Sequence, residues 1–270
     1  MNVVFQGERG AFSEVMASML FNNVVFIPCR TFKQVFDRVN SGRAEFGVIP
    51  VENSLTGRIS EVTDLLIASD LNVCKEEMLS IIHCLIANEK VSVKDLKQIY
   101  AHPEALTQCR KFLSRLNCEL ISWYDGAAAA IIVKKKKSAG LIASEKVAKI
   151  YGLKILRKEI QDSKNNITRF FVISKKTTFS TGNDKTSVVF STKHKPGTLF
   201  HALEPFVKEN INLTRLESMP SKGKLWEYLF LIDFEGHKND PEVKNALQEL
   251  NKHATSVKVI GSYSFGEFHE

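Results

Sequence analysis

The sequence predicts an α/β protein in two parts, a two-lobed α/β region followed by a separate βαββαβ unit. Three observations carry this. In the first 70 or so residues, short apolar runs alternate with helical patterns, the mark of βαβ units and a largely parallel sheet. The alternation breaks near residue 72, resumes with a second set of strands and helices, and returns through "NNITRFFVIS" (165–174). After the polar linker "KKTTFSTGNDK" (175–185) the order becomes strand, helix, two strands, helix, strand, the ferredoxin-like arrangement.

In order, "NVVFQ" is a strand and "AFSEVMASMLF" a helix with Val15, Met16, Met19 and Leu20 on one face. "VVFIPC" is a strand, and "TFKQVFDRVNSG" a helix stopped by Gly42. "EFGVIPV" is a strand, "ENSLTG" a polar loop and "RISEVTDLLIAS" a helix. Asn72–Lys75 and Glu77–Ala87 read as two extended stretches. "QIYA" is a strand, and "PEALTQCRKFLSRL" a helix with Pro103 in its first turn. "CELISWY" is a strand, "DGAAAAIIVKKKK" a helix, "SAGLIAS" a strand and "EKVAKIYG" a helix. In the last part, "TSVVFST", "INLTRLESM", "KLWEYLFLIDFEG" and "TSVKVIGSY" are strands. "GTLFHALEPFVKEN", with Leu199, Leu203, Phe206 and Val207 inward, and "DPEVKNALQELNK" are helices. The expected limits are 1–178 for the first region and 184–270 for the second. Lobe 1 takes 1–76 and 157–178, and lobe 2 takes 77–156.

A chain of 270 residues buries a core without disulfide or metal staples. No apolar run approaches the roughly 18 residues of a membrane span, and "MNVVFQGERG" has no signal-peptide character. The five cysteines are odd in number and irregularly spaced, which suits reduced thiols in a cytoplasmic protein. Net charge is +7, but the run Lys134 to Lys137 has no interleaved aromatics, so nucleic acid is not expected as a partner. A basic surface or an anionic small molecule accounts for the charge equally well.

Phe170 to Ile173 read as a strand buried on both faces, yet Thr168 and Arg169 stand at its mouth. A guanidinium entering a core needs an anion, either a protein carboxylate or a ligand. Ligands of parallel α/β sheets bind at strand carboxyl ends. A strand returning antiparallel would put its beginning, and Thr168, at that edge. Three strand-to-helix junctions, "GERGAFS", "ENSLTG" and "HPEALTQ", carry small polar residues. Each is an ordinary cap or, together, a seat for a compact anion. No full dinucleotide glycine pattern, Walker A sequence or zinc-ligand spacing occurs. No cofactor or metal is expected, and Cys109, on an apolar helix face, reads as core.

"GVIPVENSLTG" (47–57), "HPEALTQC" (102–109) and "NNITRFFVIS" resemble three signatures of the prephenate dehydratases, in the family's order. "PGTLFHAL", "LTRLESMP", "LWEYLFLIDFEGH" and "VIGSY" resemble the ACT regulatory domain that follows in that family. The resemblance runs from about residue 3 to 264. It implies a catalytic domain like the two-lobed, type II periplasmic-binding-protein fold, with the site in the cleft. It implies conversion of prephenate to phenylpyruvate, water and carbon dioxide for phenylalanine synthesis. The family's Thr-Arg-Phe motif maps onto Thr168, Arg169 and Phe170 as catalytic residues. Ser13, Glu52, Asn53, Ser54, Gly57, His102 and Gln108 map as substrate-binding residues. His102 is either a proton source or a strand-end residue bonded to backbone. Glu52 either orients cleft groups or pairs with Arg169. The ACT resemblance implies phenylalanine binding at Gly197, Thr198, Leu199, Glu217, Ser218 and Pro220, in a homodimer or homotetramer. Here the family's Glu-Ser-Arg-Pro reads Glu-Ser-Met-Pro, with Met219 for arginine, which loses a charge and five donors. Arogenate as substrate, a non-catalytic receptor and an amino-acid-sensing module are the competing readings.

Overall fold

The computed structural model describes residues 1–221 and 228–269. The first elements are β1 (Asn2–Gln6), α1 (Phe12–Leu20), β2 (Val25–Cys29), α2 (Phe32–Asn40), β3 (Phe46–Asn53), β4 (Gly57–Arg58), α3 (Ser60–Ala68) and β5 (Asn72–Ser80). Next come β6 (Cys84–Ala87), β7 (Gln98–Ala101), α4 (Pro103–Gln108), α5 (Arg110–Leu113), β8 (Glu119–Ser122), α6 (Ala130–Lys135), β9 (Ala139–Ala143), α7 (Glu145–Tyr151), β10 (Lys154–Arg157) and β11 (Ile167–Ser174). The last are β12 (Asp184–Ser191), α8 (Thr198–Lys208), β13 (Leu213–Pro220), β14 (Tyr228–Glu235), α9 (Pro241–His253), β15 (Ser256–Ser264) and β16 (Phe268–His269).

One sheet runs β16-β5-β11-β3-β1-β2, with β4 on β3. β1 is parallel to both β2 and β3, and its Val3, Val4 and Phe5 are fully buried. A second, mixed sheet runs β10-β6-β9-β7-β8. Its faces are covered by two apolar clusters, one around Leu141 and Val133, the other around Ile99 and Cys109. The third sheet, β13-β14-β12-β15, is antiparallel throughout. Phe206, Ala246 and Leu250 of α8 and α9 pack with its Val188, Phe190, Ile232 and Phe234. The expected βαββαβ order is therefore present.

The chain divides into two compact units that interleave along the sequence. One holds Met1–Val62, Met78–Phe170 and the residues from Phe268 on; the other holds Thr63–Glu77 and Phe171–Glu267. Three of the divisions fall within α3, β5 and β11, and the fourth falls just before β16.

Several local expectations are corrected. The face of α1 that is buried is Ser13, Glu14, Met16 and Ala17, while Met19 is exposed. Glu14 is tolerated inside because it accepts from Gly10 N and pairs with Arg9 at 2.6 Å. The 103–116 helix breaks at Cys109. There Asp162 N takes the Gln108 carbonyl at 2.7 Å, and the Asp162 carboxylate accepts from Lys111 N at 3.0 Å. The alanine helix starts only at Ala130, because Asp125 Oδ1 holds Ala127 N at 2.7 Å in a turn. β5 is continuous to Ser80 and the break falls at 81–83, where Ile81 N leaves for Asn166 O. Val207 of α8 points outward. Residues 224–227 of the expected 224–236 strand lie outside the described residues.

Gly10 has φ +94°, and a Cβ there would sit 2.6 Å from Val147 Cγ2 of α7. Gly42 has φ +74° with nothing within 4 Å. Gly10→Ala is expected to cost more than Gly42→Ala, which carries only backbone strain of about 1 kcal/mol. Urea unfolding of both variants measures the difference; equal costs would show that α7 yields to the added methyl.

Candidate active site

The site forms at the mouth of β11. Ser54 N, just past the end of β3, donates to Ile167 O at 2.8 Å, and Ile81 N, just past β5, donates to Asn166 O at 2.7 Å. The beginning of β11 thus meets the ends of both neighbours, so it runs antiparallel to them, the arrangement the sequence allows. A cavity of about 280 Å³ opens there. Successive strand side chains alternate faces. Thr168 and Phe170 line the cavity, whereas Arg169 does not and lies 3.6 Å from Glu52. A protein carboxylate therefore meets the guanidinium.

The cavity's polar wall is a chain of amides whose direction is fixed by backbone. Asn53 Oδ1 accepts from Leu55 N at 3.0 Å and Thr56 N at 3.2 Å. Backbone N–H groups only donate, so Asn53 must present its NH₂ the other way. That NH₂ donates to Asn166 Oδ1 at 2.8 Å and to Thr168 Oγ1 at 3.0 Å. Asn166 in turn donates to Gln108 Oε1 at 2.8 Å. Thr168, 7% exposed, has one lone pair occupied by Asn53, which leaves its hydroxyl proton available for donation into the cavity.

The facing wall comes from the loop before α1. Ala11, the N-cap, supplies no capping side chain, so the first-turn N–H groups of α1 have no side-chain acceptor from it. Gly10, Ala11, Phe12 and Ser13 all line the cavity. Asp125 steadies the loop by accepting from Glu8 N at 2.9 Å, and Ser144 Oγ donates to Gly10 O at 2.5 Å. His102 reaches the cavity as the N-cap of α4, its Nδ1 accepting from Glu104 N at 3.3 Å.

Of the residues expected from the sequence, Ser13, Asn53, His102, Gln108, Thr168 and Phe170 line the cavity. Glu52, Ser54, Gly57 and Arg169 do not. Ser54 instead splints the mouth of β11, its Oγ donating to Asn165 O at 2.6 Å and accepting from Ile167 N at 3.0 Å. Gly57 serves a φ of +77° in β4. The wall carries no Lys or Arg among the described residues; its side-chain charges are Asp125 and Glu104. The net positive charge of the chain is therefore not concentrated on this wall. Sequence reasoning missed His83, Asp125 and Asn166; for Asn166 the paired amides opening "NNITRFF" were the available signal.

A second cavity, about 360 Å³, is lined by Gly197, Thr198 and Leu199 with Lys193, His194, Tyr228 and Phe230. Glu217, Ser218 and Pro220 are not on its wall. They lie on β13, an edge strand, where Glu217 pairs with Arg215 at 2.8 Å. Met219 is buried.

A family model described as prephenate dehydratase matches residues 3–178, and one described as ACT domain matches 186–252. The chain belongs to the prephenate dehydratase family. It is 40% identical to a bifunctional chorismate mutase/prephenate dehydratase of Aquifex aeolicus, over 97% of this chain and 73% of that relative. It is also 40% identical to arogenate dehydratase/prephenate dehydratase 2 of Arabidopsis thaliana, over 97% and 72%. Among solved structures, the prephenate dehydratase of Arthrobacter aurescens in complex with L-Phe aligns at TM-score 0.89 and 30% identity, covering 98% of this chain and 90% of that one. GqqA, described as a novel type of quorum quenching acylase, aligns at TM-score 0.88 and 31% identity, covering 98% of both chains. As a member of this family, the chain is a lyase of aromatic amino acid biosynthesis with an ACT regulatory domain.

Cys109 sits fully buried behind Gln108, and burial pushes its thiol up to about 12; Cys74 is pushed to about 11. Neither will supply a thiolate near neutral pH. A thiol reagent at about pH 8 is expected to leave both unmodified in the folded protein and to label them in urea, read by peptide mass. Rapid native labelling of Cys109 would contradict its placement.

Proposed function

We propose that the cavity at the mouth of β11 carries out the decarboxylating dehydration of prephenate. The observation that supports this most directly is the Asn53–Thr168 bond, which holds the threonine oxygen at the cavity wall by one lone pair and leaves its proton to be donated. In the reaction the ring carbon–hydroxyl bond breaks. The pair binding the ring carboxylate becomes part of the aromatic ring as carbon dioxide leaves. The departing hydroxyl takes up one proton and leaves as water, and phenylpyruvate remains. Hydroxide is a poor leaving group, so a donor held in line with it lowers the barrier. Threonine is a very weak acid, so Thr168 acts as a positioned donor that passes on a proton rather than as its ultimate source. Aromatisation drives the step, and the wall has only to hold the substrate in line.

The substrate's carboxylates are held by dipoles rather than by cationic side chains. The uncapped first turn of α1, with Ser13, offers N–H and O–H donors to an anion. Arg169 contributes through Glu52, bracing the strand that carries Thr168 and Phe170. His102 is committed as a helix cap through Nδ1, which supports a structural role over proton delivery.

An acylase reading, suggested by the likeness to GqqA, requires an activated nucleophile. Among the described residues no carboxylate or imidazole is bonded to Thr168 Oγ1, whose partner there is the Asn53 amide, which favours the dehydratase. The cavity at Gly197 to Leu199 is the place for an allosteric amino acid, phenylalanine by the family's pattern. Glu217, Ser218 and Pro220 on the edge strand are then brought to that ligand by a second copy of the chain, in a homodimer or larger assembly. Met219, buried where the family carries arginine, removes a cationic contact and weakens phenylalanine control. No helix among the described residues is long and apolar enough to cross a membrane. The five cysteines are unpaired, which favours a reducing, cytoplasmic setting.

Turnover of prephenate to phenylpyruvate by the purified protein tests the proposal, with arogenate assayed in parallel. Thr168→Ala is expected to lower kcat by roughly a hundred- to thousand-fold, the loss of about 2.7–4 kcal/mol typical of a transition-state donor. Thr168→Ser, which keeps the hydroxyl, should retain far more. A fully active Thr168→Ala, or a wild type that consumes only arogenate, would refute the mechanism or the substrate respectively.

A further inference from the structure

The amide chain can be followed one step past Gln108, to His83. This histidine lies between β5 and β6 and is 4% exposed. Its ring forms part of the cavity wall, edge-on to Phe12 at 5.5 Å. Its backbone N–H donates to Gln161 Oε1 at 3.0 Å, and its Nε2 lies 2.8 Å from Gln108 Oε1.

The tautomer of the ring follows from the backbone. Leu55 N and Thr56 N set the direction of Asn53, Asn53 sets Asn166, and Asn166 donates to Gln108 Oε1. The atom facing His83 is therefore a carbonyl oxygen, which can only accept. Nε2 must carry the hydrogen. Nδ1 is then bare; it is shut off from solvent and has no hydrogen-bond partner among the described residues. A proton added at Nδ1 would be a buried charged N–H with nothing to receive it. Burial accordingly holds the imidazole below its ordinary pKa, the Gln108 bond opposes that shift, and charge on His102 adds to it. Asp125, Glu104 and Tyr124 are the remaining ionisable side chains on the cavity wall among the described residues.

We propose that His83 is a positioning residue of the dehydratase: an imidazole neutral at neutral pH whose Nε2–H holds the Gln108 carboxamide and so closes the far end of the amide chain that runs through Asn166 and Asn53 to the Thr168 hydroxyl. Its kinetic consequence rests on the dehydratase reading; its tautomer does not. The ordered wall is present above the folded-state pKa of His83 and is lost as pH falls through it. Protonation there obliges the ring to abandon its place beside Gln108.

Glutamine places an N–H donor about where His Nε2 stands and does not titrate; asparagine is too short to reach Gln108. Wild type, His83→Gln and His83→Asn are compared for prephenate turnover from about pH 5 to 9, with thermal melts to check folding. His83→Gln is expected within about threefold of wild-type kcat at neutral pH, with the acid-side loss of kcat moved or abolished. His83→Asn is expected to lose roughly ten- to a hundredfold in kcat, with a smaller change in KM. A His83→Asn enzyme with wild-type kcat, or a His83→Gln enzyme with the acid limb unchanged, would overturn the proposal. Nitrogen-15 NMR of histidine-labelled wild type decides the matter independently of turnover and of variant folding. A protonated Nε2 with a bare Nδ1 at neutral pH is expected; a hydrogen on Nδ1 would overturn the assignment. A wild type inert toward prephenate but with the expected tautomer would defeat the substrate reading and leave the network standing.

Discussion

The carboxamide of Asn53 is the group that sets the direction of the cavity's hydrogen-bond chain. Two backbone N–H groups, of Leu55 and Thr56, claim its oxygen, so its nitrogen must face Asn166 and Thr168. Every donor and acceptor beyond it inherits that direction. A side chain at the end of β3 thereby occupies a lone pair of a hydroxyl on β11, 115 residues further along the chain. Such a network is stabilising only when complete. An unmet buried donor or acceptor costs about 1–3 kcal/mol, more than the bond itself contributes.

The same logic explains what the cavity wall leaves out. A cationic side chain on that wall would hold a dianion in every state of the reaction equally, which does little for the rate. Helix N–H groups are fixed donors that need no reorganisation, and Ala11 leaves those of α1 without a competing side chain. An N-cap alanine costs the helix about 1 kcal/mol relative to a serine or aspartate. That cost, the left-handed Gly10 against Val147 and the buried Glu14 all fall at the start of α1. Local stability is given up along one wall of the cavity. Arg169 shows the opposite arrangement, a strong charge set behind the wall and matched with Glu52.

Much of this was legible in the sequence, for reasons that can be stated. Periodicity marks elements buried on one or both faces, so the βαβ order, the antiparallel return of β11 and the βαββαβ unit could all be read. The mouth of β11 was visible because Thr168 and Arg169 are out of place in front of four apolar residues. What escaped depends on pairs distant in sequence. The burial of Glu14 needs its local ring of donors, the break at Cys109 needs Asp162, and the fate of Arg169 needs strand alternation and Glu52 together. His83 escaped because a lone histidine in "SIIHCLIA" carries no pattern of its own. Its meaning comes only from Gln108, 25 residues on.

The most direct test of the central claim is a double-mutant cycle on kcat with Asn53→Ala, Thr168→Ala and the double variant. If Asn53 acts by aiming the Thr168 hydroxyl, the double variant will be no slower than the worse single variant, with a coupling of about 2 kcal/mol or more. Losses that simply add would mean that the two residues work separately, and the aligned-donor account would fall.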